Sequence, residues 1–132
     1  MGQPVLTVTM LYGGSLALWF LVLGVCVVKR RQVGISLGDG GDVMLQRAIR
    51  GHGNFAEYVP LALILLAALE LSGAPAYALH ALGLILLTAR ILHGYALSFT
   101  RQFVFGRVWG TGLTYLVLGI EAVMCLYRAT MP

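Results

Sequence analysis

Hydrophobic residues form four long runs along the chain, separated by short polar stretches. The runs cover about residues 5–28, 43–71, 76–98 and 107–128. Because roughly 20 apolar residues suffice for a helix to cross the hydrocarbon core of a bilayer, each run is long enough to span a membrane. The pattern predicts an all-α membrane protein, with residues 1–132 forming one domain of four transmembrane helices.

The stretches between the runs have the composition of loops. Residues 32–42 contain four glycines and two aspartates, and residues 72–75 read Ser-Gly-Ala-Pro, which favours a tight turn. Asp42 is expected to cap the second helix, with Asp39 as the alternative, because a carboxylate accepts hydrogen bonds from the first free amides of a helix.

Polar residues interrupt the start of the second run at helical spacing. Arg50, Asn54 and Glu57 stand at i, i+4 and i+7 and share one helix face, with Arg47 a turn earlier. Charged groups at membrane depth normally face a protein interface or a watery pocket. Two interpretations stay open: contacts between helices, with Arg50 or Arg90 neutralising Glu57, or a binding site for a small anionic, amide-rich ligand.

Composition and charge support the membrane interpretation. The chain is 59% hydrophobic and 11% charged, whereas soluble domains contain about 25% charged residues. Its net charge of +4 comes from basic residues at the ends of the runs, so no nucleic-acid partner is predicted. Most basic residues lie on one side: Lys29, Arg30, Arg31, Arg47, Arg50, Arg101 and Arg107. The positive-inside rule therefore predicts cytoplasmic first and third loops and outer termini.

The chemistry that the sequence offers is narrow. It contains no nucleotide-binding motif, and its cysteines and histidines lack metal-ligand spacing, so no metal site is predicted. Arg107 opens the fourth run, where a guanidinium could stabilise a thiolate nucleophile. His93 lies about one turn after Arg90 in the third run, either as a hydrogen-bonded structural residue or as a ligand contact.

These motifs together resemble the MAPEG family, the membrane-associated proteins of eicosanoid and glutathione metabolism. The resemblance rests on Arg50-x-x-x-Asn54-x-x-Glu57-Tyr58-x-Pro60 in the second run. It extends to Ala89-Arg90-x-x-His93 and to Arg107-x-x-Gly110 in the following two. The short loops and the run 52–58 look most like the compact bacterial branch, which implies a multi-pass protein of the bacterial inner membrane.

The resemblance implies a homotrimer with glutathione, as co-substrate, bound at each subunit interface on the cytoplasmic side. The implied contacts to glutathione's polar groups are Arg50, Asn54, Glu57, Tyr58, His52 and His93, and Arg47 joins them from the same face of the second helix. Arg30 or Arg31 would approach from the neighbouring subunit. Arg107 would stabilise the glutathione thiolate, with Arg101 as the alternative.

The implied activity is a membrane glutathione transferase, with peroxidase activity as a further option. Its second substrate would be a lipophilic electrophile that arrives from the bilayer. One departure keeps a non-catalytic lipid-binding or scaffold protein as the alternative: Leu97 stands where catalytic relatives carry a tyrosine. Tyr95 is close by, but it lies two residues out of step.

Overall fold

The computed structural model describes residues 5–131, so residues 1–4 and 132 of the predicted domain lie outside it. The described chain forms four helices: α1 (Thr7–Arg31), α2 (Val43–Leu71), α3 (Ala76–Ser98) and α4 (Val104–Thr130). Each is long and apolar enough to cross a membrane. The prediction of an all-α, four-helix membrane bundle is confirmed.

The helix bounds follow the hydrophobic runs closely. Helices α2 and α3 have the bounds expected from the pattern, whereas α4 begins three residues earlier than expected and α1 continues through Arg31. The basic residues Lys29, Arg30 and Arg31 form the last turn of α1. Their positive charges interact favourably with the negative end of the helix dipole there. They are therefore part of the helix rather than of the loop.

Two carboxylates cap helix N-termini in different ways. Asp42 caps α2 locally, and its Oδ1 accepts hydrogen bonds from the amides of Met44 (2.8 Å) and Leu45 (3.1 Å), as the sequence predicted. Glu70 caps α1 from the far end of α2. Its oxygens accept from the amides of Val8 and Thr9, both at 2.8 Å, and from the Thr9 hydroxyl at 2.7 Å.

Helix α3 is the most buried of the four. Helices α2 and α3 contact every other helix, whereas α1 and α4 do not touch each other within the described chain. Helices α2 and α3 thus form a central pair, with α1 and α4 as flanking helices that each pack against both of them. Both flanking helices expose large apolar side chains, including Leu18 and Leu21 on α1 and Val123 and Leu126 on α4.

Glycines let α3 approach its neighbours closely. A Cβ at Gly110 of α4 would lie 2.6 Å from the Cβ of His93 and 2.7 Å from the carbonyl oxygen of Ala89. A Cβ at Gly94 would lie 2.8 Å from Nε1 of Trp19 on α1. The close packing of α3 against α4 brings the start of α4 beside the polar face of α2.

Candidate functional site

A cleft of about 820 Å³ opens between α2, α3 and α4, near the end of the bundle that carries the basic loops. Pockets that hold small molecules typically measure about 300–1,000 Å³. Its lining residues come from three helices: Val43, Gln46, Arg47, Arg50 and Asn54 on α2, His93 and Leu97 on α3, and Arg107, Val108, Thr111, Gly112 and Tyr115 on α4. Five of the ten predicted site residues therefore line one cleft: Arg47, Arg50, Asn54, His93 and Arg107.

The cleft is electropositive. Arg47, Arg50 and Arg107 line it, and no aspartate or glutamate is among its lining residues. Arg47 is partly held in place, because its Nη2 donates to the carbonyl oxygen of Ala96 at 2.9 Å while its Nε is buried without a hydrogen-bond partner. The arrangement suits an anionic ligand, because arginine forks bind carboxylates through paired hydrogen bonds.

Arg90 supports the cleft from behind. It is fully buried, and its Nη2 donates to Oδ1 of Asn54 at 2.8 Å and lies 3.2 Å from Nδ1 of His93. Its Nη1 donates to the hydroxyl of Thr114 at 3.3 Å, and its guanidinium lies 5.6 Å from the ring centre of Phe55. One side chain thus ties α2, α3 and α4 together and orients two residues that line the cleft.

Glu57 and Tyr58 lie at the edge of the cleft rather than in its wall. Oε1 of Glu57 is 3.5 Å from Nη1 of Arg50, and both side chains are more than half exposed. Arg50 rather than Arg90 is therefore the partner of Glu57. The Tyr58 hydroxyl lies 3.0 Å from the hydroxyl of Tyr115, which does line the cleft.

The remaining three predicted residues lie away from the cleft of their own protomer. His52 stacks on Phe20 of α1, with ring centres 4.3 Å apart. Nη2 of Arg30 donates to the carbonyl oxygen of Ser98 at 2.8 Å. Arg31 ends α1 with a buried Nη1 that has no hydrogen-bond partner.

Gln46, Tyr115 and Arg90 are the residues that site prediction missed. The sequence could have indicated Gln46, because it stands four residues before Arg50 and therefore lies on the same helix face. It could have indicated Arg90 too, since an arginine inside an apolar run needs a polar interior partner. Tyr115 had no signal of comparable strength, because its contact with Tyr58 joins residues 57 positions apart in the chain.

Leu97 and Tyr95, which the sequence comparison singled out, are also located. Leu97 is buried and contributes apolar surface to the cleft wall. Tyr95 points elsewhere: its ring stacks on Phe99 at 5.8 Å and meets the edge of Phe103 at 6.4 Å. No tyrosine of α3 therefore offers its hydroxyl to this cleft.

The chemistry of the cleft follows from these groups. Three guanidinium groups can hold anions, Asn54 and Gln46 can donate to and accept from amides, and Glu57 at the rim can accept from an ammonium group. Arg107 can stabilise a negative charge that develops at the α4 side of the cleft. A small, flexible molecule with carboxylates, amides and one amino group matches this set.

Comparison with known proteins agrees with the helix pattern. The sequence model of the MAPEG family matches residues 9–127. The inner membrane protein YecN of Escherichia coli strain K12 is 40% identical over 89 residues, which cover 67% of this chain and 68% of YecN. YecN of E. coli O6:H1 strain CFT073 matches with the same identity and coverage. No solved structure matches at a significant level.

Proposed function

The chain belongs to the MAPEG family, and from this membership we propose that it is a glutathione transferase of the bacterial inner membrane. The observation that carries the proposal is the cleft in which Arg47, Arg50, Asn54 and Arg107 meet. Glutathione has two carboxylates, two amides, one ammonium group and one thiol. The cleft offers a complementary group for each, and its volume suits a tripeptide.

Glutathione would bind with its carboxylates toward the arginines of α2. Arg50 and Arg47 supply the cations, Asn54 pairs with a peptide amide, and Glu57 receives the ammonium group. Arg90 has no contact with the ligand in this scheme. Its hydrogen bond fixes Oδ1 of Asn54 as an acceptor, so the amide nitrogen of Asn54 remains free to donate into the cleft.

Arg107 would act on the thiol. A free thiol is only a few per cent ionised at neutral pH, and the thiolate is the nucleophile. A guanidinium beside the sulfur stabilises the thiolate, which then attacks the electrophilic carbon and forms a C–S bond while the leaving group departs. The same thiolate could reduce a lipid hydroperoxide, which keeps peroxidase activity as a second reaction of this site.

The site would be completed by a neighbour in a homotrimer. Arg31 has a buried, unpaired Nη1 at the end of α1, whereas Arg30 is already bound to the backbone at Ser98. Arg30 has such a nitrogen too, but only Arg30 is tied to the backbone, so Arg31 is the freer of the two to turn toward a neighbour's glutathione. The lipophilic electrophile would arrive laterally from the bilayer, between α1 of one subunit and α4 of the next.

The experiment is a glutathione titration of the purified protein that follows the ultraviolet absorbance of the thiolate. We expect bound glutathione to be largely ionised at pH 7. In Arg107→Ala, bound glutathione should return to the few per cent of thiolate that is typical of a free thiol. Transferase activity with a general electrophile should fall in proportion.

Arg101→Ala is the matched control, since Arg101 is an exposed arginine of the α3–α4 connection that does not line the cleft. It should leave the thiolate signal unchanged. If the thiolate signal were lost in Arg101→Ala but kept in Arg107→Ala, Arg101 rather than Arg107 would be the residue that stabilises the thiolate. A wild-type protein that binds no glutathione at millimolar concentration would refute the transferase proposal.

Leu97 favours a second candidate, a non-catalytic binder on the same fold. Its side chain gives the cleft an apolar wall where catalytic relatives carry a tyrosine, and Tyr95 does not replace that hydroxyl. Such a protein would bind glutathione or a lipid without ionising a thiol. Binding with an ordinary thiol absorbance and no turnover would select this function over the transferase.

A further inference from the structure

A second concave surface lies on α1, away from the cleft. It is a groove of about 660 Å³ lined by Leu18, Leu21, Val22, Val25 and Cys26, with Phe99, Lys29 and Arg30 at one end. Leu18 and Leu21 are 68% and 63% exposed in the protomer. We name this surface the α1 groove, and we propose that it binds an anionic glycerophospholipid from the leaflet on the side of the basic loops.

The length of the α1 groove matches one leaflet. Leu18 and Lys29 are eleven residues apart on a continuous helix, which corresponds to about 16 Å at 1.5 Å per residue. Half of the hydrocarbon core of a bilayer measures about 15 Å. An acyl chain that follows the groove from Lys29 would therefore end near Leu18, at the middle of the membrane.

The charge of the groove selects the headgroup. Both charged residues that line it are basic, and no carboxylate is among its lining residues. Lys29 is exposed, and Arg30 keeps a buried Nε without a hydrogen-bond partner while its Nη2 binds Ser98. Lysine and arginine donate charge-assisted hydrogen bonds to phosphate oxygens. Near the membrane surface they also attract anionic headgroups electrostatically.

The groove lies on a different side of α1 from the face that packs against α2. Phe20 and Gly24 face α2, where His52 contacts both of them. Leu18, Val22 and Val25 lie on a different side of α1, because positions two residues apart do not share a helix face. The groove contains no α2 residue, so α2 leaves this side of α1 uncovered.

Trp19 is a built-in probe of the groove. Its ring lies 6.3 Å from the ring of Phe99, which lines the groove, and Trp109 is the only other tryptophan in the chain. The Trp109→Phe protein would be reconstituted into vesicles that contain either brominated phosphatidylglycerol or brominated phosphatidylcholine at equal mole fraction. Quenching of Trp19 then compares how strongly an anionic and a zwitterionic lipid occupy the groove.

We expect phosphatidylglycerol to be favoured over phosphatidylcholine by clearly more than about fivefold, since each of the two basic side chains contributes roughly that factor. Lys29→Gln should reduce the preference by about fivefold and leave the smaller preference that Arg30 supplies. Arg101→Gln removes a basic charge outside the groove and should leave the preference intact. Val22→Phe keeps both charges but fills the groove, and should weaken quenching by both lipids.

Three outcomes would overturn the proposal. Equal quenching by the two lipids would show that the groove does not select a headgroup. A preference that is undiminished in Lys29→Gln would place the anionic lipid elsewhere. Absence of quenching by either lipid would show that another part of the assembly covers the groove.

Discussion

At the scale of single residues, Arg90 combines full burial with hydrogen bonds to three helices. It is a fully buried cation, and its hydrogen-bond partners are neutral: Asn54, Thr114 and His93. Hydrogen bonds to a charged group contribute about 1.5–3 kcal/mol each, so the network holds Arg90 and its neighbours in one arrangement. The planar fork of arginine is needed, because Nη1 donates a hydrogen bond to α4 while Nη2 donates one to α2.

Arg90→Lys should therefore destabilise the protein although it keeps the charge. A lysine ammonium is a single point and cannot serve Asn54 on α2 and Thr114 on α4 together. We expect a loss of about 2–3 kcal/mol in the free energy of unfolding, together with weaker glutathione binding as Asn54 becomes mobile. Denaturation in detergent and a binding titration measure the two effects.

Arg50→Lys is the control, because Arg50 is 61% exposed and its ion pair with Glu57 is open to solvent. Exposed pairs contribute about 0–1 kcal/mol, so its unfolding curve should stay close to that of the wild type. If Arg90→Lys unfolded like the wild type, Arg90 would not be the structural centre of the site.

At the scale of secondary structure, the cleft depends on how closely α4 packs against α3. Gly110 faces His93 and the carbonyl of Ala89, so the two backbones meet without an intervening side chain. This contact sets the position of Arg107, Thr111 and Tyr115 relative to His93. Helix spacing, rather than any single ligand contact, therefore determines the width of the cleft.

Gly110→Ala should widen the cleft. Its Cβ would meet backbone atoms that cannot rotate away, so α4 must move outward. Overpacking of this kind destabilises by about 1–3 kcal/mol, and glutathione affinity should fall as Arg107 moves from the α2 arginines. Thermal unfolding and a glutathione titration test both consequences.

Gly119→Ala provides the comparison on the same helix, since nothing lies within 4 Å of a Cβ at that position. Alanine is favoured over glycine by about 1 kcal/mol in a helix interior, so this variant should be as stable as the wild type or more so. Equal stability and affinity in the Gly110 and Gly119 variants would disprove the role of the α3–α4 contact.

At the scale of the whole molecule, the central pair of α2 and α3 is flanked by α1 and α4, which do not contact each other within the described chain. Arg31 does not line the cleft of its own protomer. It is the last residue of α1, on the opposite flank from α4. A closed ring of three copies would bring the α1 of one subunit beside the α4 of the next. In that arrangement, each proposed site draws on two chains.

Mixed trimers test this arrangement. Asn54→Ala protomers lack a working cleft, and Arg31→Ala protomers lack the group supplied to the neighbour, so each homotrimer should bind glutathione poorly. Co-expressed in equal amounts, the two variants should restore about a quarter of the sites, because an intact site needs one defined neighbour order in the ring. Calorimetric stoichiometry on the purified mixture measures this fraction.

No recovery in the mixture would show that one protomer contains the whole site, whereas binding at about half of the sites would show that Arg31 takes no part in it. Native mass spectrometry on the same sample reports the number of copies, each with a mass of 14.2 kDa. A dimer or a monomer in lipid would contradict the ring.

Sequence reasoning succeeded where one helix alone determines the outcome. Hydrophobic run lengths predicted the four helices, and i, i+4 spacing placed Arg50 and Asn54 on one face that does line the cleft. It failed where two helices must be rotated against each other. The contacts of Arg90 with Thr114, and of Tyr58 with Tyr115, depend on how α3 and α4 are turned and shifted, and periodicity within a helix does not carry that information.

The cap of α1 has a consequence for biosynthesis. Val8 and Thr9 donate their amides to Glu70, a residue made 62 positions after Val8. During synthesis, α1 enters the membrane with these amides satisfied only by water or lipid headgroups, and its first turn is completed when the end of α2 arrives. The hydrogen bonds that complete the first turn of α1 can therefore form only after the end of α2 has been inserted. We expect α1 and α2 to reach their final structure together, as a helical hairpin.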